Sequence, residues 1–136
     1  MVEERSYVDV NVFVYWLTAD PRFGETALRW VERVEESPRS YVTSALTLWE
    51  VLVIVAGITG RSLRDRDLCS RVVGAIAETG ISILELRRED FLRALDYQLQ
   101  GMDMEDAIHL AAAVRAGCGR VISNDRDFDR FIERVF

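Results

Sequence analysis

The stretch Ser6-Tyr7-Val8-Asp9-Val10-Asn11 decides how the rest of the chain is read. It has the make-up of a short buried strand, with Val8 and Val10 flanking a single carboxylate, and the run Val12-Phe13-Val14-Tyr15-Trp16-Leu17 that follows is helical in character. Asp9 is therefore expected where a strand hands over to a helix. In open α/β folds that edge of the sheet is where ligands bind. Three further acids, Glu50, Asp106 and Asp125, lie in similarly apolar settings far away in sequence. The expectation is that folding brings the four together.

Outward from this stretch, helical and strand patterns alternate. Asp20-Pro21 predicts a helix start, with Asp20 as N-cap and the helix running to about Glu36. Tyr41-Val42-Thr43 reads as a brief strand, and Ser44 as the cap of a helix from Ala45 to Ala56. That helix is apolar almost all round, with Glu50 as its lone charge. A helix without a polar face is either deeply buried or lies at a subunit contact, which makes it the expected homodimer contact. Gly57 and Gly60 mark a turn, a helix follows from Leu63 to Glu78, and Ile81 to Leu86 alternates like a strand. Glu89 to Leu99 is the next helix, with Phe91, Leu92, Leu95 and Leu99 expected to face inward. Asp103-Met104-Glu105-Asp106 fits an N-terminal capping box in which Asp103 caps and Asp106 reaches back. Its helix runs to Ala116, with Ile108, Ala111, Ala112 and Ala113 forming a narrow surface for a sheet. Arg120 to Ser123 is the last strand read, and Asp125 follows just beyond it. Strands separated by helices favour a parallel sheet covered on both sides, an α/β fold in three α/β/α layers. At 136 residues the chain is expected to form one domain, 1-136, without linker or repeat.

Composition removes several function classes. No apolar run reaches the roughly 18 residues that a membrane span needs. Glu3, Glu4 and Arg5 stand where the apolar core of a secretory leader would begin, so a cytoplasmic protein is expected. Cys69, Cys118 and the single histidine, His109, are too few and too scattered for a zinc-type cluster. A net charge of −6 argues against holding nucleic acid by a basic face, though not through metal ions. All 17 basic residues are arginines. Without lysine there is no Walker-type phosphate site, no Schiff base and no receiver domain. Asn11 also stands where haloacid-type phosphatases use their second aspartate.

The chemistry therefore rests on the acids. Four carboxylates converging in one cleft repel one another unless a cation neutralises them, and their hard oxygen donors suit Mg2+ or Mn2+. Bound ions of this kind activate water for attack on a phosphodiester without a protein nucleophile. Each acid also has a plain structural use: Asp9 and Asp106 at helix starts, Glu50 as an exposed charge, and Asp125 in a solvated turn.

Taken together, four segments resemble the PIN-domain ribonucleases, and among them the VapC-type toxins of toxin–antitoxin pairs. They are Tyr7-Val8-Asp9-Val10-Asn11, Ser44 to Leu52 with Trp49-Glu50-Val51 inside, Gly101 to Ala111 with Asp106-Ala107-Ile108-His109-Leu110-Ala111, and Val121-Ile122-Ser123-Asn124-Asp125-Arg126-Asp127-Phe128. The resemblance implies a central parallel sheet with Asp9, Glu50, Asp106 and Asp125 as catalytic metal ligands at its carboxyl edge. Asn11 and Ser123 match supporting polar positions, and Asp127 is a further acid or a brace for the turn. Asp103 stands where many relatives carry Ser or Thr, and its cap role accounts for it. His109, one helical turn beyond Asp106, is expected to pack or hydrogen-bond behind the site. The implied reaction is Mg2+- or Mn2+-dependent endonucleolytic hydrolysis of RNA, leaving 5′-phosphate and 3′-hydroxyl ends. The implied partners are an RNA substrate, a cognate antitoxin that blocks the cleft, and a second copy of the chain. A housekeeping PIN nuclease and a catalytically silent interaction module are the alternatives.

Overall fold

The computed structural model describes residues 4–136, so Glu3, one of the charges read against a leader, lies outside the described residues. The chain opens with β1 (Arg5–Val8), α1 (Val10–Leu17) and α2 (Gly24–Glu36). After a short 3-10 turn come β2 (Tyr41–Ser44), α3 (Ala45–Thr59), α4 (Arg66–Glu78) and β3 (Ser82–Leu84). Two helices, α5 (Arg88–Leu99) and α6 (Met104–Arg115), then lead to β4 (Cys118–Ile122), a second 3-10 turn at Arg126–Phe128, and β5 (Glu133–Val135). The five strands form one sheet in the order β3-β2-β1-β4-β5, and every pair is parallel.

The alternation of side chains along the central strands creates the three layers. Val8 and Ile122 point into a cluster with Phe13, Trp30, Val51, Val55 and Ile76, so α1 to α4 cover that face. Their neighbours Tyr7 and Val121 point the other way, into a cluster with Ala94, Ile108, Leu110 and Ala113 from α5 and α6. A sheet buried on both faces needs strands without polar alternation, and Val8, Val42, Val121 and Ile122 supply them. The chain leaves β1 toward β2 on one side and returns to β4 on the other. The crevice between the carboxyl ends of β1 and β4 is thus the switch point at which such folds take ligands.

Several boundaries differ from the sequence reading and a fifth strand, β5, follows the last one it found; three of the helix ends have a clear local reason. Helix α2 starts at Gly24 rather than Pro21, because an Asp20 carboxylate oxygen accepts the backbone N–H of both Arg22 and Phe23, each at 2.9 Å, and holds them in a turn. Helix α4 starts at Arg66, since Asp65 is the residue whose side chain caps it, accepting from Leu68 N–H at 3.1 Å. Helix α3 runs on through Gly57 and stops at Gly60, whose φ of 67° is the left-handed end that glycine tolerates best.

The orientation of α5 corrects the sequence reading outright. Phe91, Leu92, Leu95 and Leu99 are exposed, Leu99 at 88%, and the buried residues of the helix are Asp90 and Ala94. Arg115 of α6 fixes this rotation. Its guanidinium holds Asp90 at 2.9 and 3.0 Å and the Glu85 carbonyl at 2.7 Å, while Asp90 also accepts the Arg87 N–H at 2.9 Å. Small Ala94 turned inward lets α5 approach the alanine-rich α6 closely.

Of the two alternatives for the apolar helix α3, exposure holds for one side of it. Thr47, Val51, Val55 and Ala56 are buried, whereas Trp49 (56%), Val53, Ile54 and Ile58 (60%) face solvent. Both cysteines are free thiols, Cys118 buried and Cys69 partly so. Among the described residues no helix is long and apolar enough to cross a membrane.

Candidate metal centre

Asp9 occupies the handover from β1 to α1. Its N–H makes a last sheet bond to the Ile122 carbonyl at 3.0 Å, and the residue is the N-cap of α1. Although a carboxylic acid, it is only 5% exposed. Its Oδ2 accepts the hydroxyl of Ser123, the first residue beyond β4, at 2.7 Å. That one buried hydroxyl joins the two strand ends. Ser123 Oγ also accepts the Asn11 side-chain amide at 3.3 Å and the Asp125 N–H at 3.0 Å. Asn11 Oδ1 accepts the Asn124 N–H at 3.2 Å, and Asp125 Oδ1 accepts the Asp127 N–H at 2.9 Å. Asp9 and Asp125 are therefore held through a single serine, with Asn11 bracing the loop from below. Arg134 of β5 secures the same loop, donating to the Ser123 carbonyl at 3.1 Å.

The other two acids come from helix starts. Glu50 lies in the second turn of α3 and Asp106 in the first turn of α6, so the N-termini of α1, α3 and α6 bring their partial positive charge to one edge of the sheet. Asp103 caps α6 by accepting the Asp106 N–H at 3.0 Å. The reciprocal half of the expected box is not made, and the Asp106 side chain lines the cleft instead. That cleft, of about 300 Å³, is walled by Asp9, Asn11, Glu50, Asp106 and Asp125 together with Tyr15, Ile54 and Glu105. All four predicted acids share it, whereas Asp127 stands exposed at its edge.

The crowding is visible in the proton affinities. Burial, followed by the charges of Asp125, Asp103 and Asp9, pushes the Asp106 carboxyl up to about 7. Burial also raises Asp9, against the opposing pull of His109 and the Ser123 hydrogen bond. Glu105, reached by the Glu50 side chain through a hydrogen bond and then affected by burial, rises to about 7. For Glu50 burial acts upward, but its hydrogen bonds to His109 and Glu105 and the charge of His109 hold it below the usual carboxylate range. Burial would lower His109, yet the bond to Glu50 and the surrounding negative charge leave it raised.

This donor set fits a hard divalent cation. Asp106, Asp125 and Asp127 each offer an oxygen, all within 4.8 Å of one another, and a carboxyl raised to about 7 marks a charge that a cation would relieve. A second triplet, Glu50, Glu105 and His109, meets the same distance criterion. Its histidine has both ring nitrogens engaged, Nε2 with Glu50 at 2.8 Å and Nδ1 with Tyr7 at 2.7 Å.

Glu105 is the site residue that the sequence reading used only as a filler of the capping pattern. Its signal was its place in the first turn of a helix aimed at the acidic edge, four residues before the single histidine.

A central parallel sheet with an acid-lined cleft at its switch point defines the class of the protein as an α/β fold whose carboxylates suit a hard cation. The family model "PIN domain" matches residues 6–133, and the chain belongs to that family. Solved structures share the fold at low sequence identity. VapC20 of Mycobacterium tuberculosis, described as a sarcin–ricin loop cleaving toxin, is 17% identical with a TM-score of 0.72, covering 92% of this chain and 93% of its own. A toxin–antitoxin complex from Klebsiella pneumoniae contributes a chain 21% identical, TM-score 0.65, with 96% of both chains covered. DNA-bound VapBC from Salmonella typhimurium is 17% identical, TM-score 0.66, with 97% of both covered. A comparison of the sequence with curated proteins gives no match.

Proposed function

We propose that this protein is a cytoplasmic Mg2+- or Mn2+-dependent endoribonuclease and the toxin of a VapBC-type pair. One observation carries the reading: four carboxylates from four separate elements line one cleft, and the most buried of them, Asp9, is kept in place by a serine hydroxyl. Membership of the PIN family and the likeness to VapC structures support it.

Asp9, Glu50, Asp106 and Asp125 would hold the metal, with Asp127 at the rim. When bound, the metal supplies a water of lowered pKa and offsets charge on the leaving oxygen of a phosphodiester. The chain's own part is to orient. Ser123 and Asn11 fix Asp9 and Asp125 relative to one another, and Asp103 sets the first turn of α6 so that Asp106 is delivered to the cleft. The cleft's negative charge repels RNA until a cation is present. The net charge of −6 adds to that, so affinity for RNA depends on the metal.

An antitoxin arginine among these carboxylates would pair with them bidentately and exclude the cation. The exposed apolar residues of α3, Trp49, Val53 and Ile58 among them, are the proposed contact for a second copy, since large apolar residues clustered at a surface mark interfaces. The activity test is incubation of the purified protein with RNAs of mixed sequence in Mg2+, in Mn2+ and in EDTA. Cleavage confined to the metal-containing reactions is expected. Cleavage that persists in EDTA would refute the metal-dependent reading.

A further inference from the structure

Beneath the cleft lies a polar chain that contacts neither solvent nor the space a substrate would occupy. The hydroxyl of Tyr7 meets Ser44 Oγ at 2.7 Å, Thr47 Oγ1 at 3.4 Å and His109 Nδ1 at 2.7 Å. The opposite ring nitrogen of His109, Nε2, meets Glu50 Oε1 at 2.8 Å. Tyr7, Ser44 and Thr47 are wholly buried, and His109 is 1% exposed.

Placing four polar side chains in a core is unfavourable unless each is satisfied, and a fully satisfied network then has few arrangements open to it. Here every buried side-chain polar atom among the described residues has a partner. The links also close on themselves. Thr47 and Glu50 stand three residues apart on α3, and Tyr7 of β1 grips the start of that helix while anchoring His109 of α6, which grips Glu50. The carboxylate is thereby referenced to the central strand, the strand that also ends in Asp9.

Resting on the proposed metal-dependent reading, we infer that His109, anchored by Tyr7, is a positioning residue that fixes the Glu50 carboxylate for cation binding. His109 does not itself ligate the metal or take a proton from water in the cleft. The geometry supports both halves. With Nε2 donating to Glu50 and Nδ1 on the tyrosine, neither ring nitrogen has capacity left for a metal. With one Glu50 oxygen committed to the ring, the other would be the ligating atom, a bound cation taking the place of the hydrogen bond with Glu105. The edge-on contact of the two rings, 5.7 Å between centroids at 66°, further restricts rotation of the imidazole. Partners that orient a metal ligand from behind contribute about 10- to 100-fold in metal affinity.

The test is calorimetric titration of Mn2+ alone into wild type and into H109L, H109Q and Y7F, alongside thermal melts of each in EDTA. The glutamine amide reaches Glu50 with an N–H as the imidazole does, so H109Q is the rescue. Weakening of Mn2+ binding by about 10-fold or more is expected in H109L and by about 4- to 10-fold in Y7F, with H109Q within about 3-fold of wild type. If H109L does not fold, as the EDTA melt would show, Y7F and H109Q decide the matter. A folded H109L, or a Y7F where H109L fails, that binds Mn2+ within about 3-fold of wild type would overturn the positioning role while leaving the nuclease reading intact. Wild type that takes up no Mn2+ would overturn both.

The one histidine of the chain gives an independent reading by nitrogen NMR. An Nε2–H proton protected from exchange in wild type and released in E50L, which has no acceptor, supports the link, and an unprotected proton in wild type overturns it.

Discussion

Replacing Asp106 by asparagine should make the metal-free protein more stable while removing its function. The folded cleft disfavours the ionised carboxyl, so its affinity for a proton rises from the ordinary 3.8 to about 7. A shift of that size is worth about 4 kcal/mol for a group fully shielded from water. Asp106 is only half-buried, and solvent screening reduces the figure to about 1–2 kcal/mol. The sign follows from linkage. A carboxyl whose folded value is raised contributes its full stability below pH 4, and that contribution is lost as pH rises toward 7, because the folded state then binds more protons than the unfolded one. The asparagine side chain does not titrate. The stability difference between D106N and wild type should therefore open progressively between about pH 4 and pH 7 and stay level above, where it corresponds to a rise in melting temperature of roughly 3–8 °C. Urea unfolding in EDTA at pH 5 and pH 8 measures it directly. A D106N no more stable than wild type at pH 8, or a gain as large at pH 5 as at pH 8, would refute the electrostatic account of the cleft.

Other outcomes follow from the same structure. S123A leaves Asp9 Oδ2, the Asn11 amide and the Asp125 N–H without their common partner, so stability should fall by about 1–3 kcal/mol in chemical denaturation. R115A abandons buried Asp90 and should cost about 3–5 kcal/mol, while cleavage per folded molecule stays unchanged because the pair lies outside the cleft. Mn2+ affinity measured by calorimetry should strengthen as pH rises through about 7, since Asp106 must lose its proton to ligate, and an affinity flat from pH 6 to pH 8 would contradict this. Charge placed on the exposed side of α3 by V53E with I58E should convert a dimer to monomer in sedimentation without lowering the melting temperature by more than a few degrees.

Much of this was legible because key acids interrupt or follow an apolar context. Asp9 between valines and Glu50 alone on α3 carry a charge where the local pattern calls for none, and Asp125, in a turn that is itself polar, stands just beyond the strand pattern Val121-Ile122-Ser123. A strand and a helix interrupted in this way have few ways to satisfy the charge separately. The rotation of α5 was not legible. Its stripe Phe91, Leu92, Leu95 and Leu99 has ordinary helical spacing, and what turns it outward is Arg115, a residue 25 positions beyond Asp90 whose pairing no local pattern shows. Glu105 was obscured for a different reason. In Asp103-Met104-Glu105-Asp106 either acid can follow the cap, and only the path of α6 against β1 and β4 decides that both line the cleft. His109 lies between these cases: its helical spacing from Asp106 placed it near the site, but its partners Tyr7 and Glu50 are each supplied by other elements.

The central claim is that Asp9 and its three companions hold a metal that cuts RNA. Asp9→Asn tests it most directly, because the asparagine keeps the shape and the Ser123 contact while removing the charge. Wild type and the variant are incubated with the same mixed-sequence RNAs in Mg2+ or Mn2+, and the product ends are mapped. The account predicts cutting by wild type that leaves 5′-phosphates and 3′-hydroxyls, and its loss in the variant. Equal cutting by both, or wild-type products ending in cyclic or 3′-phosphates, would contradict it.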